Sequence, residues 1–200
     1  MRIVRAGWIG SVLFALCAVA NAAPVQWSGN GHWYDYITSA ERYSWSEANA
    51  DAQTRTYLGM TGHLVTVTSA QEEAFLYSDP WLSGHLLYGD PWIGAFRLPG
   101  SDLYTGWQWV TGEAWGYTHW RPTEPNNSWP TYAEYYVHYL STGVGGDSMV
   151  SGWNDHPDAT FRRGYFIEYS LSVPEPGSLA LLAFGLVGLA AANRRRRRIG

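Results

Sequence analysis

Tyr117-Thr118-His119-Trp120-Arg121-Pro122-Thr123-Glu124-Pro125-Asn126, followed by Glu134 and then by Trp153-Asn154-Asp155, decides how this chain is read. Carboxylates and amide carbonyls on loops are hard oxygen donors, of the kind Ca²⁺ gathers in sets of about 6 to 8. Glu124, Glu134 and Asp155 would bring three negative charges to a dication, and Asn126 and Asn154 add neutral oxygens. The proline between Glu124 and Asn126 matters because an X-Pro bond adopts the cis form at small cost, and a cis bond would turn both flanking side chains toward one ion. Residues this far apart in sequence need a fold to bring them together.

Upstream, the signals are for helices and short strands. Alternation from His32 to Ile37 predicts a first strand, with Trp33 and Tyr34 on opposite faces. Ser44-Trp45-Ser46-Glu47 has the form of a capping box, so a helix is expected from Trp45 to about Leu58, burying Trp45, Ala48 and Ala52 and ended by Gly59. His63 to Thr68 reads as a strand, and Ser69-Ala70-Gln71-Glu72 repeats the capping box ahead of a second helix to about Ser78, with Phe75 and Leu76 toward the core. Beyond Pro80, Gly, Pro, Asn and aromatic residues crowd the chain. Short strands are expected there at Trp92 to Phe96, Trp107 to Val110, Tyr135 to Leu140 and Tyr165 to Tyr169, between long irregular stretches. Strands following helices argue an α+β class. Trp92, Trp107, Trp109 and Trp120 stand in apolar or strand-like context and are expected in the core.

The two ends differ from the middle. Residues 1–22 carry Arg2 and Arg5, an apolar run from Gly7 to Ala20, and Ala20-Asn21-Ala22, the pattern of a secretory signal peptide. The only cysteine, Cys17, lies inside it, so a processed chain would hold no thiol and no disulfide. At the other end, Pro174-Glu175-Pro176 precedes an uncharged apolar stretch from Ser178 to Ala192 and the arginines 194–198. Arginines after an apolar span mark its cytoplasmic side. About 15 residues suit transient insertion in the inner membrane better than a permanent anchor. Between these ends, residues 23–173 hold 16 acidic groups and 6 arginines, a net of −10. Such a surface repels phosphate backbones, so nucleic acid is not an expected partner.

Two resemblances follow from these residues. The three-part C-terminus, 174–200, resembles the PEP-CTERM sorting signal, which implies recognition by an exosortase and delivery to the cell surface or extracellular matrix of a Gram-negative bacterium that makes exopolysaccharide. Within a domain expected at 23–173, the stretch from about Asn30 to Tyr169 resembles a C-type lectin-like domain, through both capped helices, Trp92-Ile93-Gly94, Trp109-Val110, Glu124-Pro125-Asn126, Glu134, Trp153-Asn154-Asp155 and Phe166-Ile167-Glu168-Tyr169. The fold this implies is α+β, with two helices, small antiparallel sheets and a long Ca²⁺-binding loop region. The resemblance implies Ca²⁺ held by Glu124, Asn126, Glu134, Asn154 and Asp155, with Pro125 cis and Glu113 the other candidate for the place of Glu134. Trp92, Gly94 and Trp153 belong to the structural motifs of the family. Tyr57, Tyr136 and Ile167 stand where the family has disulfide cysteines.

In such a site vicinal sugar hydroxyls give lone pairs to the ion, donate hydrogen bonds to its carboxylate ligands and accept them from its amide N–H groups, so the resemblance implies that Glu124, Asn126, Glu134, Asn154 and Asp155 each serve ion and sugar together. The Glu-Pro-Asn order resembles members preferring mannose, glucose or N-acetylglucosamine, and Trp129 is a candidate to stack on a sugar face. The leading expectation is therefore an exported, Ca²⁺-dependent lectin of a biofilm matrix whose partner is a glycan or exopolysaccharide. The alternative is a lectin-fold interaction or matrix-structural module that binds no sugar. A glycosidase is disfavoured, because carboxylates in a metal-ligand pattern stay ionised and leave no proton donor. His119 and His156 are expected as loop residues and not as ligands.

Overall fold

The structure, a computed structural model, describes residues 23–129, 131–141, 151–158 and 162–171; the expected signal segment 1–22 and the sorting segment 174–200 lie outside these. Ser44 Oγ accepts the Glu47 N–H at 3.3 Å while Glu47 Oε2 accepts the Ser44 N–H at 2.9 Å. This complete capping box opens α1 (Trp45–Thr54), which buries Trp45, Ala48 and Ala52 as expected. Ser69 Oγ likewise accepts the Glu72 N–H and opens α2 (Ala70–Ser78). The second box stays half made, because the Glu72 carboxylate turns inward to accept the Thr68 N–H at 2.8 Å and the Tyr34 hydroxyl at 2.6 Å. Leu76 is fully buried, and Phe75 packs half-buried on the core.

Besides the strand expected over His63 to Thr68, which runs over Met60–Leu64 instead because that segment pairs with 167–170, three details differ from the sequence expectation. α1 ends at Thr54 instead of near Leu58, because Leu58 (φ 49°) and Gly59 (φ 81°) form the two-residue turn joining β3 (Thr56–Tyr57) to β4 (Met60–Leu64). Two consecutive positive φ values suit the right-handed twist of a hairpin. A third helix, α3 (Pro80–Tyr88), occupies a stretch expected to lack regular structure. Its signal was present: Asp79 Oδ1 accepts the N–H groups of Trp81 and Leu82, Pro80 sits in the first turn, and Leu82 and Leu86 are fully buried. Third, Asn154 and Asp155 lie on a strand and not on a loop.

The strands, nine among the described residues, join into one sheet instead of several small ones. β1 (Val25–Gln26) pairs with β2 (Trp33–Tyr43), and β2 runs antiparallel to β9 (Arg162–Ser170), with Trp33 opposite Tyr169 and Thr38 opposite Gly164. β9 also borders β4 and meets β5 (Trp92–Arg97) in parallel at Trp92–Tyr165. β5 carries β6 (Trp107–Trp109) and β7 (Tyr136–Ser141), and β7 pairs antiparallel with β8 (Ser151–His156).

Alternation along β9 divides the core between the two faces of the sheet. Phe166 joins Tyr34, Trp109, Val137, Tyr139 and Trp153 on one side, whereas Tyr165, Ile167 and Tyr169 join Trp45, Leu64 and Trp92 on the other. Trp92, Trp107 and Trp109 are buried, and Trp120 is half-buried against them. At the positions expected to stand in place of disulfide cysteines, Tyr136 stacks on Trp45 with ring centroids 4.5 Å apart, and Tyr57 packs on the cluster containing Ile167.

Candidate metal and ligand site

Trp153 fastens the long loop between β6 and β7 to β8. Its side chain is fully buried among Trp109, Trp115, Tyr117 and Trp120, with ring centroids 5.5 to 5.9 Å away. Its N–H donates to the His119 carbonyl at 2.8 Å, and its carbonyl accepts the Arg121 N–H at 3.0 Å. The loop then turns through Thr123 (φ 75°) and the Glu124–Pro125 peptide bond, which is cis, with Pro125 buried.

Four of the five expected ligand residues are drawn together here. The Asp155 carboxylate, fully buried, accepts the backbone N–H groups of Asn126 at 3.0 Å and Asn127 at 2.9 Å. The Ser128 N–H reaches both Asn126 Oδ1 at 2.8 Å and Glu134 Oε2 at 2.6 Å, and the Glu134 N–H returns to Asn127 Oδ1 at 2.8 Å. Asn127 adopts φ 48°, a left-handed conformation that asparagine tolerates better than most residues. The sequence reading missed Asn127 and Ser128, although an asparagine beside the motif is itself a turn signal.

This gathering of carboxylates has an electrostatic cost. Burial, reinforced by the neighbouring Asp155 carboxylate and the Glu134 charge and opposed by Arg121, pushes the Glu124 carboxyl up to about 7. Burial and the Asp155 charge push Glu134 up to about 7 as well, against the pull of the Ser128 and Trp129 N–H groups. The expectation that these carboxylates stay ionised therefore applies only to a site loaded with a cation. Glu124 Oε2 is buried with no hydrogen-bond partner, a desolvated acceptor of the kind a cation satisfies. Among the described residues, however, no group of three or more His, Cys, Asp or Glu side chains closes into a ready-made metal shell. By chemistry and charge the carboxylates of Glu124, Glu134 and Asp155 suit a hard dication.

Asn154 is the fifth expected ligand. It directly faces His138 across the β7–β8 ladder, and its Nδ2 contacts His138 Nε2 at 3.2 Å and also donates to the Asp155 carbonyl. Trp129 is 41% exposed beside the motif, its ring 5.0 Å from that of His156. His156 is buried on β8 and not on a loop, with Nδ1 3.0 Å from the Pro157 carbonyl. His119 Nδ1 lies 2.6 Å from Glu73 Oε1, which raises the His119 pKa and ties the loop to α2. Glu113 accepts a hydrogen bond from Thr111 and lines a separate cavity of about 780 Å³ that also includes His32, His63 and Arg97, away from Glu124 and Asp155. Gly94 is where β5 crosses the backbone of the 64–65 segment, accepting no side chain: an added Cβ would sit 2.7 Å from the Leu64 carbonyl.

Comparison with known proteins agrees with this architecture. The PEP-CTERM protein-sorting motif matches residues 172–197, which include Pro174, Glu175 and Pro176. Halomucin of Haloquadratum walsbyi is 31% identical over 161 residues, covering 70% of this chain but 1% of halomucin. C-type lectin domain family 4 member G of Homo sapiens is 29% identical over 136 residues, covering 66% of this chain and 38% of that protein. The chain thus spans well under half the length of these relatives. The C-type lectin CEL-I of Cucumaria echinata superposes with a TM-score of 0.55 at 25% identity, over 76% of this chain and 99% of CEL-I. Among the described residues no helix is long and apolar enough to cross a membrane. The chain joins a C-type lectin-like domain to a C-terminal PEP-CTERM sorting motif.

Proposed function

We propose that this chain is an exported, Ca²⁺-dependent glycan-binding protein and not an enzyme. In this reading Glu124, Asn126, Glu134, Asn154 and Asp155 hold the ion, which when bound supplies coordination positions for two vicinal hydroxyls of a sugar of the mannose or glucose type. In this reading the carboxylates of Glu124 and Glu134 accept hydrogen bonds from the sugar hydroxyls, and the side-chain N–H₂ groups of Asn126 and Asn154 donate hydrogen bonds to them. The observation that carries the reading is the convergence of Glu124, Glu134 and Asp155, with both glutamates pushed up to about 7 and a buried Glu124 oxygen left bare. The sorting motif supports export, with residues 1–22 as the signal, 23–173 as the domain and the 174–200 tail inserted transiently in the membrane and processed by an exosortase. The destination is the cell surface or an exopolysaccharide matrix.

The test is calorimetric Ca²⁺ titration of the purified protein over the range on the order of 10⁻⁴ to 10⁻³ M typical of extracellular sites, followed by a glycan screen. Saturable 1:1 binding that disappears in Glu124→Gln, together with loss of sugar retention, is the expected result. A second reading, a lectin-fold interaction or matrix-structural module without sugar binding, draws support from the lack of a closed three-acid shell among the described residues. Absence of Ca²⁺ binding at several times the top of that range would decide for it.

A further inference from the structure

A cavity of about 780 Å³ lies beside α1, β4 and the segments 96–99 and 110–113, and neither Glu124 nor Asp155 lines it. Its volume is that of a small-molecule site. Trp45, Phe96, Val110 and Tyr136 give it an apolar wall. Leu98 and Leu171, 51% and 70% exposed, also line it, so a lipophilic occupant would remove apolar surface from water at both.

Arg97, at the end of β5, lines the same cavity and is 7% exposed. Its Nη1 and Nη2 donate to the Ser101 and Glu134 carbonyls at 3.0 and 3.2 Å, and its guanidinium lies 5.6 and 5.0 Å from the ring centres of Trp107 and Tyr135. Those contacts hold the group without neutralising it. Among the described residues the ion pairs involve Arg55 and three histidines, and none involves Arg97. Asp102, near enough to feel its charge, is exposed and accepts the Tyr104 and Thr105 N–H groups instead. Arg97 Nε is buried with no hydrogen-bond partner. A desolvated guanidinium with a bare N–H calls for an anion.

The remaining charges limit which anion. Glu168 is spent on His32, 2.5 Å away, but Glu113 is exposed at the cavity and residues 23–173 carry a net of −10. Phosphates and polyanions are therefore repelled, and a single carboxylate is favoured. We propose that this cavity is a second ligand site, independent of any cation, for a lipophilic monocarboxylate whose carboxylate meets Arg97 and whose hydrocarbon lies against Phe96, Tyr136, Leu98 and Leu171. The assignment goes beyond the glycan reading and does not depend on it.

Working in chelator keeps the proposed calcium site out of the test. Calorimetry on the purified protein compares decanoate with decan-1-ol, which has the chain without the charge, and with glucuronate, which has the charge without the chain. Expected are saturable 1:1 binding of decanoate, binding of decanol about 10- to 100-fold weaker, the worth of a charge-assisted hydrogen bond, and none of glucuronate. In ¹⁵N spectra decanoate should shift the side-chain amides of Asn49 and Gln53, which line the cavity. Arg97→Gln, which keeps hydrogen-bond donors but not the charge, should lose about 10- to 100-fold in affinity for decanoate and nothing for decanol. Leu171→Glu, at an exposed position, removes apolar surface and adds repulsion, and should weaken decanoate several-fold; it carries the test alone where Arg97→Gln does not fold. No decanoate binding, equal affinity for decanoate and decanol, glucuronate binding as tightly as decanoate, unmoved Asn49 and Gln53 signals, or native decanoate affinity in Leu171→Glu or in folded Arg97→Gln would each overturn the proposal and leave the calcium reading standing.

Discussion

Asp155 on β8 grips the loop at Asn126 through a carboxylate that accepts two consecutive backbone N–H groups, those of Asn126 and Asn127. A buried carboxylate used this way organises the loop before any ligand arrives. Asp155→Asn keeps the shape but offers one acceptor where two are needed, leaving an N–H facing an N–H₂. The expected cost is on the order of 1–3 kcal/mol of stability. Urea unfolding would measure it, and amide exchange would show the Asn126 and Asn127 N–H groups exchanging faster than in the parent protein. Unchanged exchange at those two amides would contradict the gripping role.

Acid and base should act on the ion-free protein in the direction opposite to ordinary salt-bridged carboxylates. Glu72, Glu124 and Glu134 are each pushed up to about 7, chiefly by burial, from the usual 4.5. Between those values the folded protein binds more protons than the unfolded chain, so stability declines as pH rises. His32 and His119 act in the same direction. Their pKa values are raised above 6.5 by hydrogen bonds to Glu168 and Glu73, so their contribution is complete below 6.5 and lost as pH climbs through the folded values. His85, lowered by burial, opposes them. In chelator the melting temperature should therefore be lower at about pH 8 than at about pH 5.5. Saturating Ca²⁺ should raise it more at the higher pH, where the cation no longer competes with protons. Scanning calorimetry at the two pH values, with and without Ca²⁺, reads both effects, and equal calcium-induced gains would count against the carboxylate site.

What could be read from the sequence was local. Ser44-Trp45-Ser46-Glu47 specifies its helix start by hydrogen bonds within four residues, and Glu124-Pro125-Asn126 with Trp153-Asn154-Asp155 marks the site by residue type and order. What was not legible depended on partners distant in sequence. Glu72 abandons its capping box because Tyr34, on another element, offers it a hydroxyl. Gly59 closes a hairpin instead of a helix because Met60–Leu64 finds β9 to pair with. The pairing of His138 with Asn154 exists only through the register of β7 and β8, which no local pattern encodes. α3 is different: Asp79-Pro80 was a legible start, overridden by the surrounding density of Gly, Pro and aromatic residues.

Gly94, expected from the sequence as part of a structural motif, stands where the backbone leaves no room for a side chain. A Cβ there would lie 2.7 Å from the Leu64 carbonyl, 2.9 Å from Val110 Cγ2 and 3.0 Å from the Val65 carbonyl. Two of those three atoms belong to backbone, and the Gly94 N–H and carbonyl are themselves bonded to Val65 and Val110, so the crossing cannot open without breaking both. Gly94→Ala should cost roughly 1–3 kcal/mol, the range of overpacked cores. Chemical denaturation is the measurement, and a variant as stable as its parent would show that the crossing is more compliant than its geometry indicates.

Trp129 allows ion binding and sugar binding to be separated. It is exposed, it lies one residue beyond the Ser128 N–H that bridges Asn126 and Glu134, and its only described ring contact is with His156 at 5.0 Å. No hydrogen bond of the carboxylate cluster passes through its side chain, so removing the indole should leave Ca²⁺ affinity untouched. If the ring stacks on a bound sugar, Trp129→Ala forfeits a contact worth about 0.5–1.5 kcal/mol, or roughly 2- to 10-fold in glycan affinity at saturating Ca²⁺. Trp129→Phe, which keeps an aromatic face, should recover part of that loss. A role in packing the loop instead predicts that Trp129→Ala weakens Ca²⁺ binding and glycan binding together, because Ser128, and with it the Asn126 and Glu134 oxygens, would shift. Paired calcium and glycan titrations of the two variants distinguish stacking from loop packing by whether one affinity moves or both do.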